Sequence, residues 1–232
     1  MKHLSLLLSG LVLLMGSCKK VSSDDLKDTV PYYQSYGVYY DKEAGKTDAS
    51  VIFRVRDANG TKVQLQNGAG VTANGVAAST NFILPSDYFW NMIGLKDAVE
   101  FVLTKNAGTV LTNRAKLSDI SNISFANTFP ASASKSGFSF GWVGDPLTGN
   151  ETMVITISTV DSAGTASKAL DASNSATTVS FSATDMQYMK AGGNLTVEMT
   201  RYKSIPLQMS DGTASGSIAL RYRTTKTIPL NP

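Results

Sequence analysis

Nucleophilic chemistry has few places to sit in this chain. Its 232 residues include one cysteine, Cys18, and one histidine, His3, both close to the amino terminus. A Ser-His-Asp or Cys-His site needs an imidazole beside the nucleophile, and the usual protein zinc site needs His and Cys ligands. Neither can be assembled from the rest of the sequence. Ser132-Ala133-Ser134-Lys135 has the S-x-x-K spacing of serine-lysine acyl transfer, but it lies in a Pro/Ser/Gly stretch rather than at a helix start, and no K-T-G follows it. Glycoside hydrolysis needs two acids about 5–10 Å apart. Asp41, Glu43, Asp48, Asp145 and Glu151 are available, yet their spacing brings no two together. The loop from Asp145 to Glu151, DPLTGNE, offers oxygen ligands without the D-x-[DN]-x-[DN]-G order of a calcium loop. The expectation is a protein that is not an enzyme and holds no metal and no cofactor.

The residues that remain are aromatic. PYYQSYGVYY, Pro31 to Tyr40, carries five tyrosines, and strand alternation puts Tyr36, Val38 and Tyr40 on one face and Tyr33 and Tyr39 on the other. Trp90 and Trp142 are read as lying in or beside turns. Exposed Tyr and Trp give large contact area with few rotors, which suits sugar rings and protein partners. Tyr33, Tyr39, Trp90 and Trp142 are therefore the candidate ligand-binding aromatics. The competing reading is that Trp90 plugs a crossover helix into the core and the tyrosines cover a sheet edge or a domain junction.

The amino-terminal segment addresses location. Lys2 precedes a twelve-residue apolar run, Leu4 to Met15, too short to span a bilayer but of secretory length. Residues 1–17 are read as an export signal. Met15-Gly16-Ser17-Cys18 resembles the bacterial lipobox, which implies cleavage before Cys18 and acylation of that cysteine; two or three chains anchor a protein where one is marginal. Lys19 follows in place of the aspartate that implies inner-membrane retention in enterobacterial lipoproteins, so the resemblance points to the outer membrane, at the cell surface or the periplasmic face. Residues 18–29 read as a lipidated tether. Within it Ser23-Asp24-Asp25 resembles the serine-and-acid surface-export signals of Bacteroidetes-type lipoproteins, or is a solvated linker.

Beyond residue 30 the pattern is that of an all-β protein. SVIFRVRD alternates Val51, Phe53 and Val55 against Ile52, Arg54 and Arg56, then Asn59-Gly60 marks a turn before TKVQLQ. Asp87 to Lys105 aligns with Asp185 to Lys203 without a gap, and Asp57 to Thr61 with Asp161 to Thr165 in the same order. A repeat of about 100 residues is enough for a core of its own, so two tandem β-sandwich domains are expected, at 30–127 and 128–232. Asp87 and Asp185 are assigned as helix N-caps, each before a short crossover turn ended by Gly94 or Gly192-Gly193. In its strand count, tandem arrangement and lipobox the chain resembles Bacteroidetes-type lipoproteins with tandem immunoglobulin-like β-sandwich domains.

Loss of the signal removes Lys2 and leaves 20 of the 21 Lys and Arg against 18 Asp and Glu. Arg54/Arg56 and Arg221/Arg223 alternate as solvent-face pairs rather than forming a basic stripe, so nucleic acid is not an expected partner. The expected partners are the membrane, through acyl chains on Cys18, and a glycan or a protein. Two functions follow: a non-enzymatic binding or spacer module of the envelope, or a structural or assembly subunit that exchanges a strand edge.

Overall fold

The computed structural model describes residues 20–80, 83–159, 164–174 and 176–232. Cys18, the apolar run before it and the repeat positions Asp161 to Ala163 lie outside the described residues. The strands of the first half are β1 (Lys20–Ser22), β2 (Tyr32–Asp41), β3 (Lys46–Val55), β4 (Lys62–Gln64), β5 (Gly70–Ala73), β6 (Val76–Ala77), β7 (Ser79–Thr80), β8 (Asp87–Ile93), β9 (Ala98–Thr104) and β10 (Val110–Lys116). They are followed by β11 (Ile123–Phe125), β12 (Ala133–Ser134), β13 (Gly137–Gly144), β14 (Glu151–Thr159), β15 (Thr165–Asp171) and β16 (Thr178–Ser182). A helical turn α1 (Ala183–Met186) and the long pair β17 (Asn194–Pro206) and β18 (Gly216–Asn231) complete the chain. The fold is all-β and its sheets pack as a sandwich, as the alternation requires.

One sheet runs through both halves. Its strands follow the order β15-β14-β17-β18-β2-β3-β8-β7, with β18 and β2 parallel and registered from Gly216 opposite Gln34 to Arg223 opposite Asp41. Over the first half lies the sheet β10-β9-β5-β6. Over the second half, β13 pairs with β11, β12 and β16. Period-two alternation places Tyr32, Gln34, Tyr36, Val38 and Tyr40 of β2, and Ala49, Val51 and Phe53 of β3, on the buried face. The Tyr36 ring packs 4.6 Å from Phe101 of the opposing sheet and edge-on to Phe53 at 6.1 Å. Such ring pairs contribute about 0.5–1.5 kcal/mol each beyond the area they bury. The buried apolar residues of both halves form a single cluster.

The expected domain organisation is corrected in three places. Residues 20–29 are part of the fold rather than a tether: β1 lies parallel to β4, Ser23 is buried, and Ser23 Oγ donates to the Gln66 carbonyl and accepts from the Gln66 N–H. Val21 and Leu26 supply the reason, since both pack against the core. The division also lies earlier than residue 127, because β11 pairs with β13 of the second half. Finally, the aligned repeat segments do not become equivalent elements. Residues 87–93 form strand β8, whereas their counterparts 185–191 hold the end of α1 and a turn, and β9 belongs to the smaller sheet while β17 belongs to the shared one.

The loop between β17 and β18 reaches into the first half. Asn113, fully buried, donates to the Met209 carbonyl (2.9 Å) and accepts from the N–H groups of Gln208 (2.9 Å) and Met209 (3.0 Å). Two residues on, Asp211 Oδ2 accepts from Lys105 Nζ at 2.8 Å and from the Tyr32 N–H at 2.7 Å. Lys105 Nζ also donates to the carbonyls of Asp28 and Val30 and sits 4.4 Å from the Tyr32 ring centroid. A buried ammonium is tolerable only when its donors are all used, and here they are.

Each half holds one tryptophan, Trp90 or Trp142, so single-tryptophan variants (W142F or W90F) report each half separately. Urea unfolding followed by either fluorophore is expected to give coincident midpoints, because no half can open without exposing the shared core; two separated transitions would show independent domains. Asp211→Ala leaves the Lys105 charge buried and unpaired, and is expected to lower the unfolding free energy by about 3–5 kcal/mol in the same titration.

Candidate functional site

The outward face of the shared sheet carries a trough produced by side-chain size. One transverse row reads Ser204, Ala219, Gly37, Ser50, Phe89 across β17, β18, β2, β3 and β8. The next row reads Tyr202, Arg221, Tyr39, Asp48, Asn91 across the same strands. Four small residues in line, about 4.8 Å apart from strand to strand, leave the sheet surface low beside the tall row. The result is a depression of about 360 Å³, floored by Gly37 and Ala219 and walled by Tyr39, Arg221, Phe89 and Asn91. Gly37 matters for its size: a Cβ there would lie 2.9 Å from Ser50 Oγ.

Charge and hydrogen bonding set the character of the trough. Asp48 forms an ion pair with Lys46 Nζ through Oδ2 at 2.9 Å, while its Oδ1 is buried without a hydrogen-bond partner. A buried carboxylate oxygen left unpaired is costly. Tyr39 lies under the Arg223 guanidinium, 5.5 Å from its centroid. Burial pushes the Tyr39 phenol up to about 12, against the opposing pull of the Arg223 charge, so it is a neutral platform. Arg223 in turn donates to Asp41 (2.7 Å) and Glu198 (3.0 Å), and Arg221 stacks on Tyr202 at 5.5 Å. The trough thus combines aromatic faces, a cation, an amide and a carboxylate.

Of the four candidate aromatics, only Tyr39 contributes a side chain to it. Tyr33 shares its outward face but lies six residues away along β2, about 20 Å, opposite Arg54. Both tryptophans are corrected from turn residues to core residues within strands. Trp90 is 5% exposed and its indole N–H donates to the Val76 carbonyl at 2.9 Å; Trp142 is 3% exposed and donates to the Ala176 carbonyl at 2.8 Å. Alternation decides this, since Tyr88 and Trp90 face inward while Phe89 and Asn91 face out. Phe89 and Asn91 were hidden because residues 87–93 read as a crossover turn; their period-two pattern was the available signal, whereas Arg221 was already legible as an outward residue.

Asp87 is likewise corrected. It begins strand β8 and binds Lys62 Nζ at 2.6 Å instead of capping a helix, because seven residues pair continuously with β3. Asp185 does close a capping box, at the third position of α1: its carboxylate accepts from the Ser182 N–H (2.8 Å) and Ser182 Oγ accepts from the Asp185 N–H (3.3 Å). Ser182, not Thr184 or Asp185, is the N-cap.

Three of the acids weighed for catalysis or calcium are engaged with neighbours. Asp41 pairs with Arg223, which also holds Glu198, and Glu43 accepts from the Thr224 hydroxyl at 2.7 Å. Glu151 is buried against Arg201 at 2.6 Å and accepts from the Thr148 N–H and hydroxyl, while Arg201 also donates to the carbonyls of Asp145 and Pro146. This arrangement fills the 145–151 loop with a guanidinium, which a calcium ion would have to displace. Burial alone would raise the Glu151 carboxyl, but the hydrogen bonds from Arg201 and Thr148 outweigh it and hold it at about 2. Ser132 Oγ accepts from Asn231 and Lys135 Nζ donates to the Gln187 carbonyl, so the S-x-x-K pair is spent on structure.

No family model matches the chain, and no curated protein matches it. Among solved structures, a Salmonella alpha-2-macroglobulin mutant is similar at a TM-score of 0.26 and 11% identity, over 88% of this chain and 15% of that one. The chain therefore spans a small part of that protein's length, and a likeness at this level carries no argument about function.

Gly37→Leu is expected to fill the trough while the protein stays folded, because the new side chain points to solvent and its one close neighbour, the Ser50 hydroxyl, can rotate aside. Circular dichroism and thermal melting check the fold, and loss of ligand capture checks the trough. The depressed Glu151 carboxyl contributes stability that is complete above its ordinary value near 4.5 and is lost as pH falls from there through about 2. Acid denaturation should therefore steepen across that window. In Glu151→Gln that pH dependence should flatten, with a loss of about 3–5 kcal/mol at neutral pH from the unpaired Arg201.

Proposed function

We propose that this protein is a non-enzymatic, lipid-anchored binding module of the bacterial outer envelope, held by Cys18, and that its trough takes a segment of polysaccharide. The observation that carries the reading is the outward trough in which the Tyr39 and Phe89 rings stand with Asp48, Asn91 and Arg221. A pyranose presents an apolar face to stack on an aromatic ring and a ring of hydroxyls that can donate to a carboxylate such as Asp48. Arg221 and Asn91 add donors for the acceptor side of the same hydroxyls. The lipobox-like MGSC supports the anchor, and among the described residues no helix is long and apolar enough to cross a membrane.

Strand exchange with a partner subunit has less support. The free edge at β15 carries Lys168, held to Asp185 at 3.2 Å, and a lysine on an edge discourages pairing. The opposite end of the shared sheet is capped by β7, which is two residues long.

A glycan array with the soluble 20–232 fragment tests the binding. Capture of at least one polysaccharide is expected, abolished by Tyr39→Ala and weakened about tenfold by Asp48→Ala, with Tyr33→Ala unchanged as the control. Binding by no glycan, or equal loss on changing Tyr33, would overturn the reading. For the anchor, Cys18→Ser should move the protein from the membrane fraction to the soluble one; retention on membranes would refute lipidation.

A further inference from the structure

Strand β7 pairs with β8 only at Tyr88 and Phe89, so past Phe89 the outer edge of β8 has no neighbouring strand among the described residues. Beside that bare edge a second concavity opens, of about 390 Å³, toward the β5–β6 hairpin of the smaller sheet. Met92 and Val76 line it, with Lys96 from the loop after β8. Trp90 and Asn91 line both this hollow and the trough. The two therefore form one path, which leaves the outward face of the shared sheet at Asn91 and turns over the β8 edge into the mouth between the sheets.

Charge is unevenly matched along this path. The one carboxylate lining it is Asp48, which Lys46 Nζ neutralises at 2.9 Å. Its two cations have no such match, since neither Arg221 nor Lys96 forms an ion pair with a carboxylate among the described residues. Arg221 is exposed and stacks on Tyr202, its guanidinium carbon 5.5 Å from the ring centroid. Stacking fixes the plane of the fork and leaves its N–H edges open to a ligand. Lys96 is anchored by its backbone, whose N–H donates to Thr47 Oγ1 at 2.9 Å, while Asp97 beside it lines a different concavity. Arg221 and Asn91 stand in one transverse row, three strand spacings or about 14 Å apart. Lys96 lines the hollow on the far side of Asn91.

We propose that the polysaccharide taken by the trough is acidic, a chain of uronic acid residues whose carboxylates are held by Arg221 at one end of the path and by Lys96 at the other. The inference rests on the trough reading above and adds its substrate class. A guanidinium meets a carboxylate through two parallel N–H···O bonds, and such charge-assisted bonds are roughly twice as strong as neutral ones. Lys96 supplies a point charge without that geometric demand. Between the cations, Tyr39 and Phe89 offer rings to the apolar faces of the sugars. Asp48, its charge already matched by Lys46, accepts from sugar hydroxyls without repelling the chain. One sugar ring does not span the distance between the cations, so the occupant is a chain.

The test sets polygalacturonate and alginate against their methyl esters, which keep the sugar rings and lose the charges, by affinity electrophoresis and calorimetry of the 20–232 protein. At least one uronate polymer is expected to bind about tenfold more tightly than its ester. That advantage should shrink as salt is raised toward about 1 M. Arg221→Gln, a change at an exposed position, should keep the wild-type melting temperature and remove most of the preference for acid over ester. Lys96→Gln should reduce that preference several-fold, and Arg221→Lys should keep only part of it, because an ammonium lacks the planar fork. Equal affinity for acid and ester, an unchanged preference in Arg221→Gln, or equal capture of single-stranded DNA would overturn the proposal. Binding of neutral glycans alone would overturn it and leave the trough reading standing, whereas binding of no glycan would overturn both.

Discussion

The parallel pairing of β18 with β2 is the interaction on which the rest of this structure depends. It joins residues near 35 to residues near 218, so most of the chain must be ordered before it closes. Without it β2 would be a long exposed edge, and the trough would lose Ala219 and Arg221 from its lining. Contacts this far apart in sequence cost loop-closure entropy before they return any stabilisation, and they place the protein among slow-folding β topologies. What offsets that cost is the shared buried face of Tyr36, Val38 and Tyr40 beside Ile218, Leu220 and Tyr222.

Two buried ion pairs reinforce the arrangement in different ways. Lys105 with Asp211 ties the β17–β18 loop to the first half, while Arg201 with Glu151 closes a loop within the second. Replacing such pairs with apolar residues is often neutral in stability, so their net contribution to folding is small. Their effect is on which packing is allowed: a slipped loop would leave Lys105 or Arg201 buried without its acceptors. Asn113 acts in the same direction with neutral groups, reading the backbone of Gln208 and Met209.

Adjacent residues on β2 serve opposite sides of the sheet. Tyr39 faces the outward trough and Tyr40 the buried core, because successive side chains on a strand alternate. A change in the β2–β18 register by one residue would therefore set one strand's buried row against the other's outward row and disrupt both core and trough.

The sequence by itself determined the all-β class, the alternation of β2 and β3, and the outward direction of Tyr33 and Tyr39, since each follows from a period of two within a few residues. It also carried the local capping box at Ser182 and Asp185, though shifted by a few positions from the expected N-cap. The tertiary structure alone decided the rest. Trp90 and Trp142 became core residues because opposing sheets cover them, and DYFWNMI became a strand because β3 offered it a partner. Repeated residue patterns at Asp87 and Asp185 ended in different elements, as local similarity does not fix which strand a segment will pair with. The joining of the two halves was invisible for the same physical reason: hydrogen-bonded partners in a sheet are chosen across the whole chain, and alternation says which face a residue takes but not who stands beside it.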